Sequence, residues 1–271
     1  GHNIKIYQSR FKEFGWDTLA IDGHNISQII KALNQVRKSS KPNIIIAKTI
    51  KGKGIKSIEN KEGWHGRILS KQESEKALRL IPNPKIPAIS IKSPFHRASE
   101  SIKTYQKLST QITKYNPSDI ISTREAYGNA LANLAKSDSS ILAIDGEVSN
   151  STYSEEVKKA KPKQFIEAYI AEQNMIGMAL GLSKKGFNVF ASTFAAFLSR
   201  AHDQIRMSAL SNPNFTICGS HAGISIGEDG ASQMGLEDLS LFRSLPKSII
   251  FYPSDAISTE KLVYLAANTK G

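Results

Sequence analysis

The sequence holds a single cysteine, Cys218, which excludes an intrachain disulfide and any cysteine-built metal cluster. No run of about 18 apolar residues occurs, as a membrane-spanning helix would need. Residues 1–20 also lack the charged-then-apolar order of a secretory signal. These absences lead us to expect a cytoplasmic, reducing home and no membrane partner. Acidic residues are scarce in one region: residues 1–120 hold 22 of the 36 Lys+Arg but only 9 of the 24 Asp+Glu. The formal charge of +12 therefore resides wholly in that first part. Such an imbalance accompanies nucleic-acid binding, but the interleaved basic and aromatic residues of nucleic-acid modules are missing. We expect no nucleic-acid partner, and read the lysine-rich part as a solvated surface that also attracts small phosphorylated anions. Internal repeats and low-complexity tracts are absent too. What is present is ordinary for a globular chain: 40% apolar and 22% charged residues over 271 positions, enough for a sizeable core in one or two domains.

Helical and strand patterns alternate along the chain. In SQIIKALNQVRKSS (27–40), Ser27 is a candidate N-cap, and Ile29, Ile30, Leu33 and Val36 share a helical face. A buried-strand pattern, NIIIAKTI (43–50), and a Gly-rich loop, KGKGIKS (51–57), follow. Pro82, Pro84, Pro87 and Pro94 then mark a semi-extended linker. Beyond it the spacing predicts a helix over 123–136 capped by Thr123, a strand at 141–145, a helix at 154–161 and a strand at 165–171. A helix opened by Glu172, a strand at 188–192 and a helix over 193–210 come next. Strands at 215–220 and 248–253 and a helix near 255–267 close the series. The expected fold class is α/β, two parallel-sheet domains joined by a linker: residues 1–81, linker 82–117, and 118–271.

Several residues stand where chemistry is possible. Glu172, in AEQNM (171–175), sits at a strand-to-helix corner, and ligands of open α/β sheets bind at the carboxyl ends of strands. An acid in a first helical turn also simply complements the helix dipole. Phe194 and Phe197 are three apart and share a face of the expected helix, as core aromatics do. GSHAGISIGEDGASQ (219–233) has four glycines that permit tight turns; alone, His221 is a loop histidine and Asp229 part of an Asp-Gly turn. Lys51 heads KGKG, where a cation and exposed amides suit phosphate. Arg124 near a helix start and Ser151 in a loop are unremarkable by themselves.

Taken together, AKTIKGKGI…GWHGR (47–67), AEQNM (171–175), STFAAF (192–197) and GSHAGISIGEDGASQ resemble the transketolases, thiamine-diphosphate enzymes, and most closely their vertebrate-like branch. The resemblance runs from IYQSRFKEFGWDTLAIDGH to FYPSDAISTEKLVYLAANTKG. It implies two domains of the thiamine-diphosphate-binding type: the C-terminal part of a diphosphate-binding domain, then a pyrimidine-binding domain. It also implies transfer of a two-carbon ketol unit from a ketose phosphate to an aldose phosphate, through a carbanion on thiamine diphosphate. Mg²⁺, a place in the pentose phosphate pathway and active sites at a homodimer interface come with it.

By the same resemblance Glu172 bonds a ring nitrogen of the aminopyrimidine, and so must hold or share a proton near neutral pH, which burial between subunits favours. Phe194 and Phe197 become the pocket that stacks on that ring. Lys51 and His65 lie near cofactor and substrate, His65 and His221 join Glu172 as catalytic, and His221 and Asp229 bind hydroxyls. Arg124 and Ser151 grip the sugar-phosphate tail, a task for which arginine's bidentate donors are suited. Gln233 stands where many bacterial and yeast enzymes carry histidine, as in the vertebrate-like branch. Glu147 occupies a cofactor-side position usually held by Asp, one methylene shorter.

The family's GDG…N motif for Mg²⁺ and diphosphate is missing. IDGEVSN (144–150) is a decoy, with Ile144 in place of the first glycine. No metal ligand is therefore expected in this chain. The metal-binding half-domain is expected upstream of residue 1, and the last pyrimidine-domain strand and a C-terminal domain beyond Gly271, so that the chain is an internal fragment or the product of a truncated gene, inactive alone. A catalytically inactive remnant or regulatory partner is the alternative. A relative such as 1-deoxyxylulose-5-phosphate synthase or dihydroxyacetone synthase is disfavoured by GEDGASQ and STFAAF.

Overall fold

The computed structural model describes residues 3–81, 112–116 and 118–269, and the chain divides into two compact units, Gly1–Lys92 and Ser93–Gly271. Most of the expected linker 82–117 lies outside the described residues.

The first unit is built on two parallel strands, β1 (Asp17–Asp22) and β2 (Asn43–Lys48), paired from Asp17 with Asn43 to Asp22 with Lys48. Helix α1 (Ile4–Glu13) precedes them, α2 (Ile26–Val36) makes the crossover and α3 (Lys71–Leu80) follows. Asn25, rather than Ser27, caps α2, because its extended backbone lets the side-chain oxygen accept the Gln28 N–H. A two-stranded sheet has too little face to build a core. Of the described hydrophobic residues in this unit only Ala32 and Ala77 are buried, and Ile26, Ile30 and Leu33 of α2 are exposed.

The second unit is a four-stranded parallel sheet of β3 (Ile141–Asp145), β4 (Phe165–Glu167), β5 (Asn188–Phe194) and β6 (Phe215–Ser220) in the order β4-β3-β5-β6. Its helices are α4 (Thr123–Ser137), α5 (Ser149–Thr152), α6 (Glu155–Ala160), α7 (Glu172–Lys184), α8 (His202–Ala209), α9 (Asp238–Arg243) and α10 (Ala256–Asn268). Leu131, Leu134, Val157, Phe190 and Val263 form the core on one face, and Ile144, Met175, Ile176, Val189 and Leu198 that on the other. With both faces covered, every residue of β5 is buried, so its sequence lacks the alternation of a half-exposed strand. The chain leaves β3 to form β4 on one side and returns to form β5 on the other. Strand order thus reverses between β3 and β5, and the crevice above their carboxyl ends is where such sheets bind ligands.

Tertiary contacts corrected several local expectations. The helix expected over 193–210 is divided: Thr193 and Phe194 finish β5, Phe197–Ala201 form a 3₁₀ turn, and α8 covers only His202–Ala209. Pairing of Phe194 with Ser220 extends the ladder and overrides the helical spacing. The strand expected at 165–171 stops at Glu167, because the chain turns at Tyr169 (φ 56°) after the Ala168 N–H reaches the Asp145 carbonyl. Residues 248–253, expected as a strand, form none. With β6 they line a cavity of about 1250 Å³ whose walls include Ile217, Cys218, Ile250, Phe251 and Tyr252. Ser122, not Thr123, caps α4 by accepting the Glu125 N–H. No described helix is long and apolar enough to cross a membrane.

Candidate functional site

The carboxyl ends of β5 and β6 bring three rings together. Phe194 ends β5, the chain bends through Ala195 and Ala196, and Phe197 returns to stack on it at 4.9 Å with an interplanar angle of 16°. The two rings meet through this bend rather than along a helical face. His221, just past β6, lies 4.1 Å from Phe194. Its backbone is left-handed, φ 57°, a costly conformation for a non-glycine residue that clusters at functional sites. Its Nδ1 bonds Ser220 Oγ at 3.0 Å. Burial, then the positive charge of Arg124, hold the imidazole below its usual pKa of 6.5, with Asp229 opposing them. The folded protein thus resists a proton that the unfolded chain accepts. Stability supplied by His221 is complete above about pH 6.5 and is lost as pH falls through its depressed value. His221→Gln is expected to flatten the fall in urea midpoint between pH 7.5 and 5; an unchanged pH dependence contradicts this.

Glu172 is the first residue of α7 and only 4% exposed. Oε2 accepts from Arg200 Nη1 at 3.1 Å, and Oε1 has no hydrogen-bond partner among the described residues. The carboxylate complements the helix N-terminus, but that leaves its burial unexplained. Arg200 belongs to the same 3₁₀ turn as Phe197, so the ion pair ties Glu172 to the aromatic pair. Arg200 carried no signal in the sequence, because its spacing from Glu172 is 28 residues.

The loop after β3 is organised by Asp145, fully buried. Its Oδ1 accepts the Val148 N–H at 2.7 Å, and Oδ2 accepts from Thr152 Oγ1 at 2.7 Å and Ser154 Oγ at 2.8 Å. Burial raises its pKa, and these bonds work against the rise. Arg124 donates from Nη1 to the Ser151 carbonyl at 2.7 Å. The Glu147 side chain is exposed, while its N–H donates to the Glu167 carboxylate. The loop after β6 folds back through Gly223 N–H to the Gly235 carbonyl and Gly235 N–H to the His221 carbonyl. Gly235 permits this, since a Cβ there would lie 2.6 Å from the Ala195 side chain. Asp229 on this loop is exposed and Gln233 half-buried.

Lys51 and His65 are exposed residues of the first unit. The Lys51 loop is pinned by the Ile50 N–H donating to His24 Nε2 at 2.7 Å and the Asn60 N–H to the Lys51 carbonyl at 2.8 Å. Among the described residues no group of three or more His, Cys, Asp or Glu is placed to hold a metal ion.

Two family models account for nearly the whole chain: "Transketolase, thiamine diphosphate binding domain" over residues 3–116 and "Transketolase, pyrimidine binding domain" over residues 119–271. The chain belongs to the transketolase family. It is 48% identical over 276 residues to human transketolase and 46% identical over 275 residues to mouse transketolase-like protein 2. All of the chain is covered in both, against 43% and 44% of those proteins, so it spans less than half the length of these curated relatives. Transketolase from Campylobacter jejuni superposes with a TM-score of 0.79 at 25% identity, covering all of this chain and 47% of that one. A split gene transketolase, described as an inactive β4 tetramer, is 43% identical over 56% of this chain and 49% of its own, with a TM-score of 0.50. The family and the two parallel-sheet α/β domains expected from the motifs are thus found.

Proposed function

We propose that the chain supplies the pyrimidine-binding domain and part of the diphosphate-binding domain of a transketolase, moving a two-carbon ketol unit between sugar phosphates in the pentose phosphate pathway. The observation that carries this reading is the buried Glu172 carboxyl, with one oxygen free of partners among the described residues, tied through Arg200 to stacked Phe194 and Phe197 above the carboxyl ends of the strands. These residues fit an aminopyrimidine: the phenyl rings offer a flat apolar face, and Oε1 a partner for a ring nitrogen. When bound, thiamine diphosphate supplies an acidic thiazolium carbon able to carry the transferred unit.

This chain's own residues do the rest. Glu172 holds a proton at the ring nitrogen and takes it back, an acid-base exchange worth about 10²–10⁴ in rate. His221, kept neutral by burial, is free to donate to or accept from a donor hydroxyl, beside Asp229. Arg124 takes the anionic phosphate tail from its tether on Ser151. Lys51 and His65 act near the diphosphate and substrate, and Gln233 and Glu147 border the cofactor. Magnesium accompanies the diphosphate and is held by groups other than the residues named here. The working enzyme is a cytoplasmic homodimer.

The test is transfer from xylulose 5-phosphate to ribose 5-phosphate by the full-length polypeptide with thiamine diphosphate and Mg²⁺; no turnover defeats the proposal. A second reading, an inactive remnant or regulatory partner, is favoured by the inactive split-gene relative. Accordingly the 271 residues alone are expected to show no turnover.

A further inference from the structure

Arg124, the second residue of α4, is half-buried and makes no ion pair among the described residues. Two contacts hold it: Nη1 to the Ser151 carbonyl, and its guanidinium 5.7 Å from the centre of the Tyr153 ring, within reach of a cation–π interaction. Tyr153 is itself held at some cost. It lies between α5 and α6 with φ 61° and ψ 12°, the left-handed region that bulky residues avoid.

Two features impose that conformation. Thr152 and Ser154, on either side of Tyr153, both bond buried Asp145. Gly128, one turn along the same face of α4 as Arg124, leaves a notch that Tyr153 fills. A Cβ at Gly128 would lie 2.3 Å from the Tyr153 carbonyl oxygen and 2.5 Å from its Cβ. The notch, the clamp and the strained backbone all seat one aromatic ring beside one arginine.

We propose that Tyr153 is a positioning residue that presents Arg124 to the phosphate of a phosphorylated sugar, and thereby sets the preference for phosphorylated over unphosphorylated substrates. Held at Nη1 by a carbonyl and with a ring centre 5.7 Å away, the guanidinium has surrendered part of its side-chain freedom before the anion arrives. Its remaining N–H donors stay available for phosphate oxygens. This inference rests on the phosphate-binding role proposed for Arg124.

The test compares Tyr153→Asn and Tyr153→Phe in the full-length holoenzyme. Asparagine tolerates positive φ, so Y153N removes the ring without straining the loop, and Y153F restores the ring. With a ketose phosphate donor, Y153N is expected to raise KM about tenfold at unchanged kcat. The same ketose without its phosphate should show no change, and Y153F should return KM to within about twofold of wild type. Titration of ribose 5-phosphate against ribose by calorimetry reads the same contrast without turnover, so it separates failure of this inference from failure of the enzymatic reading. An unchanged affinity for the phosphorylated sugar in Y153N, or an equal loss for both sugars, overturns the proposal.

Discussion

Glu172→Gln in the full-length protein is expected to retain thiamine diphosphate while exchanging the thiazolium proton about 10²–10⁴ times more slowly. Glutamine keeps the shape of the side chain, and its carbonyl oxygen still accepts from Arg200 Nη1, the partner of the native Oε2. The link between α7 and the turn that carries Phe197 is therefore preserved. What disappears is the ability of the free oxygen to lend a proton and reclaim it. Coenzyme affinity measured by calorimetry and proton exchange measured by NMR in D₂O separate binding from chemistry. Wild-type exchange in the variant would defeat the role assigned to Glu172, whereas loss of coenzyme binding would make it a structural ligand only.

Asp145→Ala is expected to destabilise the second unit by about 3 kcal/mol, because the Val148 N–H and the Thr152 and Ser154 hydroxyls lose their shared acceptor inside the protein. Asp145→Asn keeps an acceptor oxygen and should lose about half as much. Urea unfolding followed by far-ultraviolet circular dichroism measures both, and a loss below about 1 kcal/mol for the alanine variant contradicts the network's importance. Burial raises this carboxyl's pKa above 3.8, so the folded state takes up the proton more readily than the unfolded chain. The titration of Asp145 therefore favours folding at low pH, and that contribution fades as pH rises through the raised value. The wild-type advantage over Asp145→Asn should accordingly shrink from acid toward neutral pH.

These two carboxylates show where sequence reasoning succeeds and where it stops. Glu172 was legible as the start of a helix because an apolar segment giving way to helical spacing is a local signal, although the strand before it stops at Glu167 rather than at the expected corner. Asp145 was dismissed as part of a decoy motif, since nothing in IDGEVSN indicates that hydroxyls seven and nine residues on will fold back onto its carboxylate. The aromatic pair lies between these cases. Phe194 and Phe197 were recognised as neighbours, but from a helical spacing that does not exist; a strand end and a bend bring the rings together.

Local periodicity and composition sufficed for the α/β class, the alternation of elements and the helix that opens at Glu172, because those follow from hydrophobic spacing over a few residues. The order β4-β3-β5-β6, the crevice where it reverses, the Arg200 ion pair and the seat of Tyr153 against Gly128 did not follow from it. They depend on strand pairing and close packing between residues distant in the chain, for which no short stretch carries a mark.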